Sequence, residues 1–256
     1  MINNISVQQA DHITEIVKKT MERNLPLDKA IYYQFKNNGI TEEYDRGIIA
    51  EVSYELIRWW RLLLEIHNNF PVNQPVNYYQ LLATWLVIND IELPKSNQIR
   101  NIDKNFIKSQ YEILSSFRKI KHSIPDWLDQ QGFLAYGSEW EEELKILNSA
   151  PPIYIRTNRL KTKPSELSEK LKADGFDNEP VNKVPDALKL TNRTNIFSSK
   201  YYKEGLFEVQ DAGSQLISMY LDVKPGMRVA DMCAGSGGKT LHLASIMQNK
   251  GKIIAF

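Results

Sequence analysis

The end of the chain combines a strand, a glycine-rich loop, a helix and a second strand. MRVADM (227–232) is a predicted strand that closes with an acid, LHLASIMQ (241–248) is typical of a helix, and KIIAF (252–256) follows Gly251 as a second strand. Two strands joined through a helix pair in parallel by a crossover connection. This segment therefore predicts the opening of a Rossmann-like parallel sheet. Because one such unit cannot cover both faces of its sheet, we expect the chain to be a truncated piece of a longer protein.

The loop between these elements, DMCAGSGGKT (231–240), ends like a triphosphate-binding loop but lacks one of its fixed glycines. The triphosphate loop requires G-x-x-x-x-G-K-[ST]; Gly238 and Lys239 fit, whereas the first glycine falls on Cys233. Asp231 would also set a carboxylate close to the incoming phosphates. A nucleotide triphosphatase is therefore a third-ranked function, and it predicts a downstream strand ending in an aspartate for magnesium.

A second spacing in the same loop indicates a different ligand. Asp231, Cys233, Gly235 and Gly237 occupy every second position from the strand end, at the sheet edge where open α/β proteins bind ligands. Glycines let the backbone approach a ligand closely, and a strand-terminal acid repels phosphate but holds a cationic amino acid. S-adenosylmethionine fits this chemistry, whereas a nicotinamide dinucleotide prefers G-x-G-x-x-G. The alternative is a tight glycine turn that only packs the strand on the helix.

Four segments of the chain resemble the Sun/RsmB/Fmu family of RNA cytosine-5 methyltransferases. In the family's order they are HSIPDWL (122–128), PPIYIRTNRLK (151–161), VQDAGSQ (209–215) and KPGMRVADMCAGSGGKTLHLA (224–244). The second segment matches the family's R-x-N strand through Arg156 and Asn158, and the last two match its QD-x-x-S and D-x-CA-x-x-GGKT motifs. The resemblance covers about residues 120–256 and is specific because the four pieces keep their order.

The resemblance implies a methyltransferase that uses S-adenosylmethionine to form 5-methylcytosine in RNA, with ribosomal RNA as the leading substrate. It assigns the cofactor contacts to these loop residues: Asp231, Cys233, Ala234, Gly235, Ser236, Gly237, Gly238 and Lys239. The family commonly has Ala-Pro where this chain has Gly235-Ser236.

The family's two catalytic cysteines lie in later Pro-Cys and Thr-Cys motifs, which this chain does not contain. The resemblance therefore implies no catalytic residue here and a chain that is inactive on its own. Cys233 lies in the cofactor loop, where a small lining residue is expected rather than a nucleophile. The alternative function, from a different class, is a non-catalytic RNA-binding protein.

The N-terminal half of the sequence has a helical pattern. Helices are predicted over these ranges: 7–22, 27–37, 41–66, 77–89, 103–120, 125–131 and 138–149. Thr41 is the expected N-cap of the long third helix, whose apolar residues recur every three or four positions, and Trp59 and Trp60 are expected in the bundle core. The stretch that runs from LDKA (27–30) to EYDRGIIAEVSYELIRWWRLL (43–63) is loosely similar to the NusB-like domain that precedes the catalytic part in the bacterial branch of the family. We therefore expect residues 1–130 to form a helical, NusB-like domain.

Residues 131–205 are predicted to hold a linker helix and a small α+β module. Extended segments are expected at 153–157, 187–191 and 195–199, with a helix opening near Pro164. Residues 151–205 carry eleven Lys or Arg against seven Asp or Glu. These residues are the candidate RNA contacts: Arg156, Asn158, Arg159, Lys161 and Lys163. The alternative is a solvated basic turn.

Residues 206–256 are predicted to form the N-terminal part of the methyltransferase domain. A helix is expected to begin after Asp211, its N-cap, and to bury Leu216, Ile217, Tyr220 and Leu221.

Composition adds four expectations for the whole chain. The single cysteine excludes an intrachain disulfide and fits a cytoplasmic protein. The four histidines have no metal-binding spacing, no apolar run is long enough to span a membrane, and we expect a monomer.

Overall fold

The computed structural model describes residues 2–192 and 195–256. Contacts divide the chain into two compact units, Met1–Ser149 and Ala150–Phe256. The predicted domain borders at 130/131 and 205/206 do not coincide with the border between these units and stay predictions. Among the described residues, no helix is both long and apolar enough to cross a membrane.

The first unit is built from helices, as the periodicity predicts. Its helices are α1 Val7–Arg23, α2 Leu27–Asn38, α3 Glu43–Arg58, α4 Trp60–Ile66, α5 Tyr78–Ile88, α6 Lys104–Leu114, α7 Arg118–Lys121, α8 Asp126–Tyr136 and α9 Trp140–Asn148. Helices α1, α3 and α5 pack on one another and bury Ile13, Val52, Leu56, Leu63 and Leu82. Burial of this apolar surface is the main stabilising term of the unit.

The predicted helix 41–66 is interrupted, which corrects the sequence-based boundary. Helix α3 ends at Arg58 and α4 begins at Trp60. The backbone N–H groups of Arg61 and Leu62 instead donate to the hydroxyl of Ser123, at 3.0 and 3.3 Å. A hydroxyl from a distant segment thus satisfies the free amides of a helix start. Sequence spacing alone gives no sign of this partner.

Further boundaries in the chain differ from the sequence-based predictions, among them the end of α8, which is predicted at residue 131 and lies at Tyr136. The N-cap of α3 is Glu42, without a side-chain cap bond, rather than Thr41. The predicted helix 103–120 is two helices, α6 and α7, separated by residues 115–117. The sequence predicts an extended segment at 195–199, but Ile196–Ser198 is a 3-10 turn. This turn buries Ile196 in the apolar core and lets the Ser199 hydroxyl accept a hydrogen bond from the N–H of Tyr201 at the start of the next helix. Trp59 and Trp60 are half-buried rather than fully in the core.

The second unit begins with a four-stranded antiparallel sheet. Its strands are β1 Tyr154–Thr157, β2 Asn178–Val181, β3 Val184–Leu190 and β4 Phe207–Val209, in the order β2-β3-β1-β4. Helix α10, Pro164–Ala173, covers one face by packing Leu167 and Leu171 against Ile155 and Phe207. A short helix α11, Lys200–Lys203, precedes β4.

The predicted parallel unit follows in the same compact part of the chain. Strands β5 Arg228–Asp231 and β6 Lys252–Ala255 are parallel, with Asp231 in register with Ala255, and helix α13 Gly238–Ile246 connects them. Gly251 has φ +127°, and a side chain there would meet the backbone of Met227. The sequence therefore correctly placed a glycine-dependent turn between α13 and β6.

Helix α12, Ala212–Tyr220, has the opposite burial to the one predicted. Its buried residues are Gln215 and Ser218, whereas Ile217, Tyr220 and Leu221 are exposed, Tyr220 by 84%; of the four residues predicted to be buried, Leu216 alone is half-buried. The reason is tertiary: Gln215 Nε2 lies within hydrogen-bond distance of the carbonyl oxygens of Ile155 and Gln210, at 3.4 and 3.0 Å. Helix α12 thus meets the sheet through its polar side.

Candidate functional site

The glycine loop lies where the parallel strands β5 and β6 end. The N–H of Phe256 donates to the carbonyl of Asp231 at 2.9 Å, and the N–H of Ala234 donates to the carbonyl of Phe256 at 3.2 Å. These bonds hold the first residues of the loop at the carboxyl edge of the two strands. Ligands of open parallel sheets bind at this edge.

Asp231 closes the loop by bonding to both of its ends. Its Oδ1 accepts the N–H of Cys233 at 3.3 Å, and its Oδ2 accepts the hydroxyl of Thr240 at 2.6 Å. Each carboxylate oxygen can accept a second hydrogen bond, and the side chain is only half-buried. Asp231 therefore offers negative charge and free acceptor capacity beside the loop.

The loop glycines provide an unusual backbone and open space. Gly235 has φ +55° and Gly237 has φ +85°, and a Cβ at either position would meet no atom within 4 Å. The left-handed backbone rather than crowding therefore favours glycine at these two positions. Gly237 is the N-cap of α13, whose first backbone N–H groups lack intrahelical partners.

The remaining predicted cofactor residues lie in or next to this loop. Cys233, Ser236 and Lys239 are exposed, and Ala234 and Gly238 are half-buried. Lys239 stands in the first turn of α13, and Cys233 is a free, exposed thiol. The structure thus brings together the loop residues that the resemblance assigned to the cofactor.

A cavity of about 240 Å³ lies behind the loop, between α13 and the segment that leads into β6. Thr240, Ala244, Met247, Gly251 and Ile253 are among its lining residues. Thr240 belongs to both the cavity wall and the hydrogen bond with Asp231. The glycines of the loop lie outside this cavity.

Four of the five candidate RNA residues lie on the turn that follows β1. Asn158 shapes this turn, since its Nδ2 donates to the carbonyl of Gly205 at 2.9 Å and its Oδ1 accepts the N–H of Leu160 at 3.1 Å. Lys161 Nζ donates to the carbonyl of Glu204 at 2.6 Å.

The side chains of Arg159 and Lys163 are exposed, with loose ion-pair contacts of 3.5 Å to Asp186 and 3.9 Å to Glu166. The Lys163 pair is exposed and contributes little to stability, and the Arg159 contact is long although Asp186 is largely buried, so both cations remain available to a ligand.

Arg156, the fifth candidate, is buried, which corrects its assignment as a surface contact. The residue is 2% exposed, and its Nε donates to Oε1 of Gln210 at 2.6 Å. Desolvation by burial lowers the pKa of the guanidinium, while the charges of Glu208 and Asp186 act in the opposite direction. From this position the guanidinium is not presented to an RNA phosphate.

Sequence reasoning missed two residues at the packed face of α13: Gln210, which contacts this helix, and His242, which belongs to it. A Cβ at Gly238 would lie 3.7 Å from Nε2 of Gln210, so this side chain packs against the first turn of α13. His242, one helical turn further on, is fully buried, with Nε2 3.6 Å from a carboxylate oxygen of Asp186. The i, i+4 spacing of Gly238 and His242 places them on one helix face, and Gln210 is the first residue of the QD-x-x-S motif, but neither pattern shows that the two segments meet.

Comparison with known proteins identifies the family. Residues 124–197 match the family model "Methyltr_RsmF/B-like, ferredoxin-like domain", and residues 218–256 match the model "16S rRNA methyltransferase RsmB/F". A probable ribosomal RNA small subunit methyltransferase B of Bacillus subtilis is 32% identical over 254 residues, which is 98% of this chain and 55% of that protein. The chain belongs to the RsmB/F methyltransferase family.

The predicted family is therefore confirmed, and other RsmB/F relatives agree. A probable ribosomal RNA small subunit methyltransferase B of Synechocystis is 29% identical over 82% of this chain and 55% of its own length. The chain spans about half the length of these curated relatives.

Solved structures of similar proteins also match this RsmB/F chain. The crystal structure of PH0851 covers 98% of this chain and 63% of its own, with a TM-score of 0.72 and 26% identity. A methyltransferase homologue from Pyrococcus horikoshii matches 57% of this chain and 47% of its own, with a TM-score of 0.51 and 30% identity. The glycine loop lies within the matched family model, and β1 to β3 lie within the ferredoxin-like one.

Among the described residues, no group of three His, Cys, Asp or Glu side chains is placed to hold a metal ion.

Proposed function

We propose that this protein is an S-adenosylmethionine-dependent methyltransferase that forms 5-methylcytosine in RNA, with ribosomal RNA of the small subunit as its substrate. The observation that carries the proposal is the closed loop at the end of β5, where Asp231 binds Cys233 N–H and the Thr240 hydroxyl. The names of the curated relatives support the substrate class.

The loop residues fit the methyl donor chemically. Asp231 keeps acceptor capacity for the α-ammonium group of the amino-acid part, and the free N–H groups at the start of α13 suit its carboxylate. Gly235 and Gly237 leave open space beside the backbone, where an adenosine can approach. When bound, the donor supplies a methyl group on a positively charged sulfur.

A triphosphate fits the same loop less well. The carboxylate of Asp231 is anchored to both ends of the loop, so it cannot turn away from an incoming anion without breaking the bonds to Cys233 and Thr240. Two like charges at close range repel each other. ATP is therefore the discriminating comparison ligand.

The basic turn after β1 supports an RNA substrate. Arg159 and Lys163 are exposed there and only loosely paired, and Lys161 lies beside them. Cations that contact phosphates give an affinity that falls steeply as salt rises. We propose that this turn, with Asn158 as its structural support, contributes part of the RNA-binding surface, and that the helical first unit is a NusB-like domain.

We further propose that residues 1–256 do not transfer the methyl group by themselves. Cytosine carbon-5 needs a cysteine thiolate as activating nucleophile, and the only cysteine of this sequence, Cys233, is part of the donor loop. We propose that this chain binds the donor and RNA, and that it is monomeric and cytoplasmic.

Calorimetric titration of the chain with S-adenosylmethionine, S-adenosylhomocysteine and ATP tests the donor site. We expect both adenosyl ligands to bind and ATP to bind at least about tenfold more weakly. Transfer of labelled methyl groups to cytosine in ribosomal RNA by the intact protein tests the reaction.

Each outcome distinguishes the candidate functions. Binding of RNA without any binding of the adenosyl ligands would favour the non-catalytic RNA-binding protein. Tight, magnesium-dependent ATP binding would favour the triphosphatase. Label in adenine or guanine rather than cytosine would contradict the proposed product.

A further inference from the structure

Helix α13 meets the antiparallel sheet through the first turn that follows the glycine loop. Gly238 and His242 lie one turn apart on the same helix face. Gln210 packs against Gly238, with Nε2 and Cδ 3.7 and 3.9 Å from the position of a Cβ, and Asp186 faces His242. The start of α13 thus packs against Gln210, which directly follows β4, and against Asp186 of β3.

Gln210 is held in place at three points. Its N–H donates to the carbonyl of Tyr154 at 3.1 Å, and its carbonyl accepts from Gln215 Nε2 at 3.0 Å. Its side-chain Oε1 accepts from Arg156 Nε at 2.6 Å, a charge-assisted bond. The two backbone contacts fix the position of the residue, and among the described residues Arg156 makes the hydrogen bond that orients the carboxamide next to Gly238.

The position of Arg156 is energetically unfavourable for a cation, because burial removes the guanidinium from water. Neighbouring side chains of a strand alternate between faces, so Arg156 leaves β1 on the face opposite to Ile155, which packs in the apolar core with α10. It is among the largest fully buried side chains of the chain. Glu208, its partner in β4, and Asp186 supply the compensating charge. Replacing a buried ion pair by apolar residues of similar volume is often neutral or stabilising, so a buried arginine is weak evidence for a purely stabilising role.

We propose that Arg156 is a positioning residue of the methyl-donor loop, acting through Gln210. The inference rests on the proposed donor site. The guanidinium aims the carboxamide of Gln210 at the first turn of α13 and thereby fixes the N–H groups of the loop end before the donor arrives. Arg159, three residues along, remains an RNA contact, so two arginines of one short segment serve different ligands.

The test compares matched variants of the intact protein by calorimetry with S-adenosylmethionine and by RNA titration. Arg156→Met removes the N–H group that bonds to Gln210 but keeps an unbranched side chain. We expect the affinity for S-adenosylmethionine to fall about tenfold and the affinity for RNA to stay unchanged. Arg159→Gln should leave donor affinity unchanged and weaken RNA binding about threefold, with a shallower dependence on salt. Leu171→Ala, on the other face of the sheet, controls for simple destabilisation and should leave donor affinity unchanged.

A double-mutant cycle tests the route through Gln210. If Arg156 acts through this side chain, Arg156→Met in a Gln210→Ala background should weaken donor binding no further than the larger single effect. Additive losses would overturn the route. An Arg156→Met variant that binds the donor as the Leu171→Ala variant does, or that loses RNA affinity instead, would overturn the proposal.

Amide exchange without ligand separates this inference from the proposed function. Residues 234–241 should exchange faster in the Arg156→Met variant than in wild type and the Leu171→Ala variant, because the loop end loses its support. Unchanged exchange there would reject the positioning role. If the wild type binds no S-adenosylmethionine, the proposed function fails, and the exchange experiment still decides whether Arg156 positions the loop.

Discussion

Replacing Asp231 with asparagine separates the charge of this side chain from its structural contacts. In the structure, Oδ1 accepts the Cys233 N–H at 3.3 Å and Oδ2 accepts the Thr240 hydroxyl at 2.6 Å. A carboxamide has the same shape; its oxygen can accept from Cys233, and its NH₂ can donate to the Thr240 oxygen. The loop should therefore stay closed in Asp231→Asn, while the negative charge at the end of β5 is lost.

The size of the effect follows from the environment of Asp231. The side chain is half-buried, so its field is screened less than in bulk water but more than in a protein core. Two unit charges 4 Å apart attract by about 1 kcal/mol in water and by about 4 kcal/mol at an effective dielectric constant of roughly 20. We expect Asp231→Asn to lose about 1–3 kcal/mol of binding free energy, which raises the Kd for S-adenosylmethionine about 5- to 150-fold.

Isothermal titration calorimetry at low ionic strength measures this change. S-adenosylhomocysteine keeps the α-ammonium group but lacks the sulfonium charge, so the two ligands should lose affinity to a similar extent if Asp231 holds the ammonium. Asp222→Asn is the matched control, because Asp222 is an exposed acid of the same unit paired with Lys224. Equal Kd values for wild type and Asp231→Asn would refute the argument. Equal losses of S-adenosylmethionine affinity in Asp231→Asn and Asp222→Asn would show a general effect of net charge rather than a contact with Asp231.

Two further predictions concern the helical unit. Gly47 is exposed in α3, with no atom within 4 Å of a Cβ, so Gly47→Ala should raise the free energy of unfolding by about 0.5–1 kcal/mol. Gly132→Ala in α8 would overlap the Trp140 ring and should lower the free energy of unfolding by about 1–3 kcal/mol. Urea unfolding measures both changes, and changes of the same sign would contradict the packing described for these two glycines. A bidentate hydrogen bond from Arg118, at 2.7 and 3.1 Å, holds the pKa of Asp129 below its ordinary value, with a further bond from Trp140 and opposition from burial. The stability that this pair contributes is present above the unfolded-state pKa of about 4 and is lost as pH falls through the lower folded-state pKa. Asp129→Asn should therefore destabilise the chain by about 1–3 kcal/mol at pH 7 and by less in acid. A difference in unfolding free energy between wild type and variant that stays constant from pH 7 to pH 2.5 would reject this prediction.

The order of elements in the second unit was available from the sequence. The strand, glycine loop, helix and strand of 227–256 appear in the structure as predicted, because a βαβ unit is set by local composition and by the chirality of the crossover. The loop residues named for the cofactor also lie together, since neighbours on one short loop cannot separate. The helical character of the first unit followed from apolar residues that recur every three or four positions.

Whether a side chain faces water or another element depended on contacts between distant segments. Arg156 sits in a basic stretch, and only the packing of the sheet against α12 and α13 shows that it is buried on Gln210. The apolar residues of α12 predicted that its apolar face is buried. Instead, two hydrogen bonds from Gln215 hold the polar face of the helix against the sheet. The break before α4 likewise required the hydroxyl of Ser123.

The sequence by itself determined the helical character of the first unit, the βαβ order at the end of the second and the family, because these depend on residue order over short distances. The tertiary structure decided which residues serve the loop from outside it. A repeating pattern records which side chains share one face of a helix or strand, but it does not record which element covers that face. Arg156 is buried, and Gln210 packs against the start of α13, only when three segments far apart in the chain meet: β1, the residue after β4, and α13.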